Sequence, residues 1–144
     1  MSLTGAVLLQ PLQGFPLVQH GDDIADLIHA ALEETGVALE ENDIIVIAQK
    51  VISKAEGRSV DLNDVVPSAR AIELSVAADK DSRLIELILS ESNEVLRVRP
   101  GVIIVEHRLG FVMANAGIDR SNVSENRALL LPLDPDGSSS RIRD

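Results

Sequence analysis

Gly101-Val102-Ile103-Ile104-Val105-Glu106-His107-Arg108-Leu109-Gly110-Phe111-Val112-Met113, followed by Ala114-Asn115-Ala116-Gly117-Ile118-Asp119-Arg120-Ser121-Asn122, decides the fold. Two short apolar runs flank a polar, glycine-ended break at His107 to Gly110. That spacing predicts an antiparallel strand pair joined by a tight turn. The small residues that follow let the backbone approach another group closely, and Gly117 is free to take a positive φ. Asp119 and Asn122, three apart, present a carboxylate and an amide to one ligand if the loop curls like a helical turn. Such a pair beside a strand end suits a hydrated divalent cation and its phosphates. The competing reading is a polar turn in which Asp119 only caps a helix.

Upstream, Glu94 to Arg99 alternates and stops at Pro100-Gly101, which predicts a preceding strand. Asp81 to Ser92 reads as a helix with Leu84, Ile85, Leu87, Ile88 and Leu89 on its apolar face and Glu86, Glu91 and Glu94 outside. Ser68 is a cap for another helix carrying Arg70, Ile72, Leu74 and Ala77. Val60-Asp61-Leu62 reads as a short strand. Ile44-Ile45-Val46-Ile47-Ala48 is a continuous apolar run, predicting a strand buried on both faces. It leads into Gln49 to Arg58, where polar and basic groups follow a buried strand as they do at α/β ligand sites. Lys50 and Lys54 are two of only three lysines in the chain. The bland reading of Lys54 is a solvated residue paired to Glu56.

The N-terminal part predicts a strand over Gly5 to Leu12 and a turn at Gln13-Gly14-Phe15-Pro16. A helix follows, opened by Asp22 or Asp23 and ended at Gly36. His29 reads as a helix-surface residue. At the other end Leu129 to Leu133 predicts a last strand. Asp134-Pro135-Asp136-Gly137-Ser138 predicts a cap whose helix stops after one turn, which reads as truncation. The fold class expected is α/β in the mixed α+β sense: an aliphatic sheet covered by about three helices, part of a larger domain.

With 144 residues, the chain suffices for one domain with a core. The apolar mass is aliphatic, with two Phe and no Trp or Tyr, so single-strand nucleic-acid binding by stacked aromatics is not expected. A net charge of -10 argues against a polyanionic partner held by a general field. It leaves room for one phosphate ligand held by local lysines or a metal. The lack of Cys excludes disulfides and thiol chemistry. No apolar run reaches membrane-spanning length, and the expectation is a soluble, cytoplasmic protein.

Gln49 to Arg58, Asn115 to Asn122 and Leu131 to Ser138, together with Phe15-Pro16 and Gly21-Asp22-Asp23, resemble the coenzyme F-420:L-glutamate ligase family. The resemblance runs through nearly the whole chain and implies that residues 1–144 are the N-terminal portion of such a ligase. It implies GTP-dependent addition of L-glutamate to the deazaflavin coenzyme precursor through an acyl phosphate. It also implies a divalent metal (magnesium or manganese), a potassium-like monovalent cation, and a homodimer. Carried over by position, Gln13, Gly14, Phe15, Pro16, Gln49, Lys50, Lys54 and Asn122 contact GTP, and Asp119 is a metal ligand. Gln49-Lys50 departs from a pair that is often Ser-Thr in the family. His107 and Arg108 either contact the acidic substrate or sit on a turn surface. No catalytic residue is assigned. A portion lacking the other metal ligands is expected to be inactive or weakly active alone. The alternative is a non-catalytic nucleotide-binding or dimerisation module completed by a partner chain.

Overall fold

A computed structural model describes residues 7–120 and 126–144. Helix α1, Ile24–Thr35, begins where the Asp23 carboxylate accepts from the backbone N–H groups of Ala25 and Asp26. It ends at Gly36, whose φ of 70° is a left-handed stop that costs glycine nothing. The buried stripe Ile24, Ile28, Ala31, Leu32 follows helical spacing, and His29 lies on the exposed side. Helix α2 is Gln49–Ala55, strand β1 is Ser59–Asp61, and a 3-10 turn spans Leu62–Asp64. Ser68 caps α3, Ala69–Ala78, and Asp81 caps α4, Ser82–Ser90.

Strands β2, Ser92–Arg99, β3, Val102–His107, and β4, Val112–Ala114, form an antiparallel meander. The β3–β4 turn falls where the apolar runs break, and the His107 N–H donates to the Phe111 carbonyl at 2.8 Å. Ile103 and Val105 face inward on β3 and meet Ala71, Ala78, Leu84, Ile85 and Ile88 of α3 and α4. This is the principal core, and its lack of aromatics follows from the composition. A second, two-stranded ribbon pairs β1 with β5, Arg127–Leu129, setting Ser59 opposite Leu129 and Asp61 opposite Arg127. Asp119 extends that ribbon by one bridge, exchanging both backbone hydrogen bonds with Leu129 at 2.9 and 2.8 Å. Asp119 is therefore strand-like in its backbone, and the residues that a helix cap there would reach lie outside the described ones. Asn115, Ala116 and Gly117 all carry positive φ, at 52°, 52° and 67°. Ala116 is fully buried there, and the Asn115 side chain accepts from the Ile103 N–H at 3.1 Å. A left-handed alanine is strained, and packing plus that hydrogen bond hold it.

The class is mixed α+β, with five α-helices and antiparallel sheets among the described residues. Four expectations need correction. Residues 7–12 join no ladder, and Val7, Leu8 and Leu9 are exposed. The run Ile44 to Ala48 is not a buried strand either: Ile44 and Val46 are 85% and 87% exposed. Both segments lack a pairing strand among the described residues; Leu12 and Ile47 pack against the α1 cluster, while their neighbours stay exposed. The last strand stops at Leu129; Leu130 to Pro132 are buried but lie beyond the end of β5. The last helix, α5, is longer than one turn: it spans Pro135–Arg143, capped by the Asp134 carboxylate on the Gly137 N–H.

Candidate functional site

Lys50 and Lys54 lie one turn apart on α2, hence on one face of it. Each faces a different neighbour. Lys50 reaches the Asp119 carboxylate at 3.9 Å, both being partly exposed. The structure thus joins two residues that the chain holds far apart. Lys54 instead lines a cavity of about 510 Å³ with His20, Gly57, Ser59, Arg127 and Leu129. Glu56 does not neutralise it. The Glu56 carboxylate accepts from the Leu133 N–H at 2.7 Å and the Ser138 hydroxyl at 2.8 Å, tying α2 to the start of α5. The bland pairing with Lys54 is thereby excluded.

Gly57, at φ +69°, carries the chain from α2 into β1, and a Cβ there would stand 2.6 Å from the His20 ring. Only glycine meets both the backbone and the space requirement. The Gly21 N–H donates to the Ala55 carbonyl at 2.9 Å, fixing the segment after Pro16 against the end of α2. Gln13 is anchored to α1 by its N–H donating to the Thr35 hydroxyl at 2.8 Å. Gly14 turns at φ +68° against the Glu34 side chain, Phe15 packs with the cluster of Val18, Ile24, Ile28 and Leu32, and Pro16 is exposed. Gln49 commits its amide to the Ser53 hydroxyl within α2. Asn122 lies outside the described residues. Gln13 to Pro16 thus lead directly into one wall of the Lys54 cavity, while Lys50 and Asp119 form a neighbouring centre. A smaller hollow of about 230 Å³, beside Ser68, Arg70 and Glu86, contains none of these residues.

As a divalent-metal site, Asp119 falls short on its own. Among the described residues no group of three or more His, Asp or Glu side chains is placed to hold a metal, and the charge facing Asp119 is an ammonium. A magnesium or manganese ion takes several oxygen ligands, and one carboxylate supplies too few.

Two features escape a linear reading. Arg127, to which the sequence gives no role, lines the cavity. Its Nε donates to the Ser59 hydroxyl at 2.9 Å and its Nη2 to the Ser59 carbonyl at 3.1 Å. Glu91, expected on an outer helix face, is buried. Its Oε2 accepts from Arg58 Nη2 at 2.7 Å and Arg108 Nε at 3.0 Å, with His107 Nε2 at 3.6 Å. Burial pushes the Glu91 carboxyl up, but the two guanidiniums outweigh it and hold it below the ordinary glutamate range. His107 is wholly buried, stacked on Phe111 at 5.2 Å, and its Nδ1 accepts from the Leu109 N–H at 3.0 Å. Burial lowers its pKa, with Arg108 and Arg58 adding to the effect and Glu91 opposing it. The neutral ring therefore carries its proton on Nε2, toward Glu91. This cluster holds the β3–β4 turn, the end of α4 and the α2–β1 junction together, and the surface alternative for His107 is excluded.

An α+β domain with a cationic cavity, lined by no carboxylate among the described residues, is the class that the fold and the site define. The family model described as F420-0:Gamma-glutamyl ligase matches residues 14–144, and the chain belongs to that family. It is 50% identical over 131 residues to a coenzyme F420:L-glutamate ligase of Methanothermobacter thermautotrophicus, covering 91% of this chain and 52% of the relative. The ligase of the same name from Archaeoglobus fulgidus is 44% identical over 133 residues, covering 92% and 51%. That from Halorubrum lacusprofundi is 38% identical over 137 residues, covering 91% and 52%. The chain thus spans about half the length of these relatives. Among the described residues no helix is long and apolar enough to cross a membrane.

Proposed function

We propose that this chain supplies part of the nucleotide site of a GTP-dependent ligase that adds L-glutamate to the coenzyme F420 precursor. A carboxylate does not condense with an amine unaided. The γ-phosphoryl group of GTP passes to a carboxylate oxygen of the precursor and GDP leaves. The glutamate nitrogen then attacks the carbonyl carbon, phosphate departs, and the nitrogen gives up a proton. Such chemistry depends on positioning and on neutralising phosphate charge. One observation carries the reading: Lys54 lacks a carboxylate partner among the described residues, at the position the family resemblance gives to a nucleotide contact. Gln13 to Pro16, leading into the same cavity, form the adjoining wall for the nucleotide. Asp119 contributes one carboxylate to a magnesium or manganese site whose other ligands come from outside the described residues. A monovalent cation, a homodimer and a cytoplasmic location complete the proposal.

A second reading, a non-catalytic module that joins copies or is completed by a partner chain, is favoured by one observation. Ile44 and Val46, like Val7 to Leu9, expose aliphatic side chains that a finished domain covers. Grafting residues 14–144 in place of the matched segment of the Methanothermobacter relative separates the readings. An active chimera that adds glutamate with GTP in preference to ATP, and loses on the order of a hundredfold in turnover with Lys54→Ala, is expected. A chimera indifferent to Lys54→Ala, or inert while the parent relative is active, refutes the first reading.

A further inference from the structure

The same cavity holds a second cation whose surroundings give it a task. Arg127 and Leu129 sit two apart on β5 and share one face of the ribbon, with Ser59 across from Leu129. Asp61 stands directly opposite Arg127, yet it does not pair with it: one Asp61 oxygen accepts from the Asn63 N–H at 2.9 Å, capping the 3-10 turn. The guanidinium is held instead by Ser59, through Nε and Nη2. A neutral hydroxyl and a carbonyl orient it without cancelling its charge. No Asp or Glu is among the described residues lining the cavity, which contains Lys54, Arg127 and His20. In a chain of net charge -10 with 23 acidic residues, a cleft with two cations and no carboxylate among its described lining residues is not a solvated average.

We infer that this cleft is an oxyanion site in which Arg127, aimed by Ser59, and Lys54 act together on one phosphate or carboxylate group. Arg127 is a specificity-determining contact that the nucleotide reading of Lys54 does not include, and the inference deepens that reading. A planar guanidinium whose Nη1 has no hydrogen-bond partner among the described residues offers directed N–H groups, and Lys54 adds a mobile point charge. Phosphate of a nucleotide and carboxylate of an acidic substrate share this chemistry, so the test separates them.

Tripolyphosphate, GTP and L-glutamate are titrated separately against the chain, followed by 31P and 15N-1H NMR, with Arg127→Gln, Lys54→Met and Leu17→Glu beside the parent. The glutamine keeps a donor for Ser59 without the charge. Leu17 is 86% exposed at the cavity rim, so its replacement adds a repelling carboxylate without touching the ribbon. The expected result is saturable binding of tripolyphosphate or of glutamate, weakened roughly tenfold by each variant, a usual loss for one charge-assisted contact. Whichever probe binds names the source of the oxyanion. Binding of neither probe, or binding unchanged in Arg127→Gln and Leu17→Glu, overturns the inference, and if Arg127→Gln unfolds, Leu17→Glu decides. GTP binding that needs Lys54 but ignores Arg127 and Leu17→Glu removes this inference and leaves the nucleotide reading intact. Tripolyphosphate binding that needs both cations, with no gain for GTP, does the reverse.

Discussion

Replacing Glu91 by Gln tests whether the buried ionic cluster holds this fold together. The substitution keeps shape and size and removes one negative charge. In the parent, one carboxylate oxygen receives Arg58 Nη2 at 2.7 Å and Arg108 Nε at 3.0 Å, and His107 Nε2 stands at 3.6 Å. The neutral amide leaves two guanidiniums facing each other across a buried space, where Arg108 Nη2 and His107 Nε2 already lack hydrogen-bond partners among the described residues. Breaking a buried pair from one side costs about 3–5 kcal/mol. The Arg58 and Arg108 side chains are 19% and 29% exposed, so water relieves part of the uncompensated charge. That places the expected loss at the lower end, about 3 kcal/mol.

Urea unfolding followed by circular dichroism reads this directly. With a slope of about 2 kcal/mol per molar, ordinary for a domain of this size, the midpoint falls by roughly 1.5 M. The melting temperature falls by roughly 6–12 °C. Glu94→Gln, on the exposed side of β2, is the control and is expected to stay within about 0.5 kcal/mol. A Glu91→Gln loss under about 1 kcal/mol, at unchanged slope, would show that the two arginines are satisfied by solvent and that the cluster is incidental.

Acid unfolding is expected in two stages. His107 has a folded pKa below its ordinary 6.5, so as pH falls past 6.5 the unfolded chain takes up the proton first and stability drops. Glu91 is held below its ordinary 4.5, so its contribution is intact above that pH and disappears as pH falls through the lower folded value. The His107→Asn variant should lose the first stage and keep the second, which urea midpoints from about pH 7.5 to 3.5 would reveal. A profile flat from about pH 7 to 5 in the parent contradicts the assignment. Separately, Val46→Glu, at a position 87% exposed, should raise the concentration at which the chain self-associates, with stability changed by less than about 0.5 kcal/mol. Light scattering that shows the same association in both proteins, or a large loss of stability, would mean Val46 is covered in solution.

What is legible in the chain and what is not divides by the range of the interactions involved. Asp23, Ser68, Asp81 and Asp134 mark helix starts because each carboxylate or hydroxyl bonds to N–H groups two or three residues ahead. The β3–β4 turn is readable for the same reason. Glu91 is misplaced by a linear reading because helical periodicity describes α4 only as far as Ser90, whereas its partners stand 33 and 17 residues away. Arg127 is invisible there because what orients it, Ser59, lies 68 residues earlier. The run Ile44 to Ala48 fails differently: an apolar stretch states a demand for cover, and only a partner strand decides whether the demand is met. Lys54 shows how the two ranges combine. Its basic character and its position on α2 are local facts, but its freedom from Glu56 depends on Leu133 and Ser138, 77 and 82 residues on, drawing that carboxylate away. A lysine is left available to a ligand when tertiary structure engages the acid beside it elsewhere, and Arg127, whose facing Asp61 caps the 3-10 turn, is in the same position. In both cases the fold leaves positive charge in the cavity while a neighbouring acidic residue has a structural task.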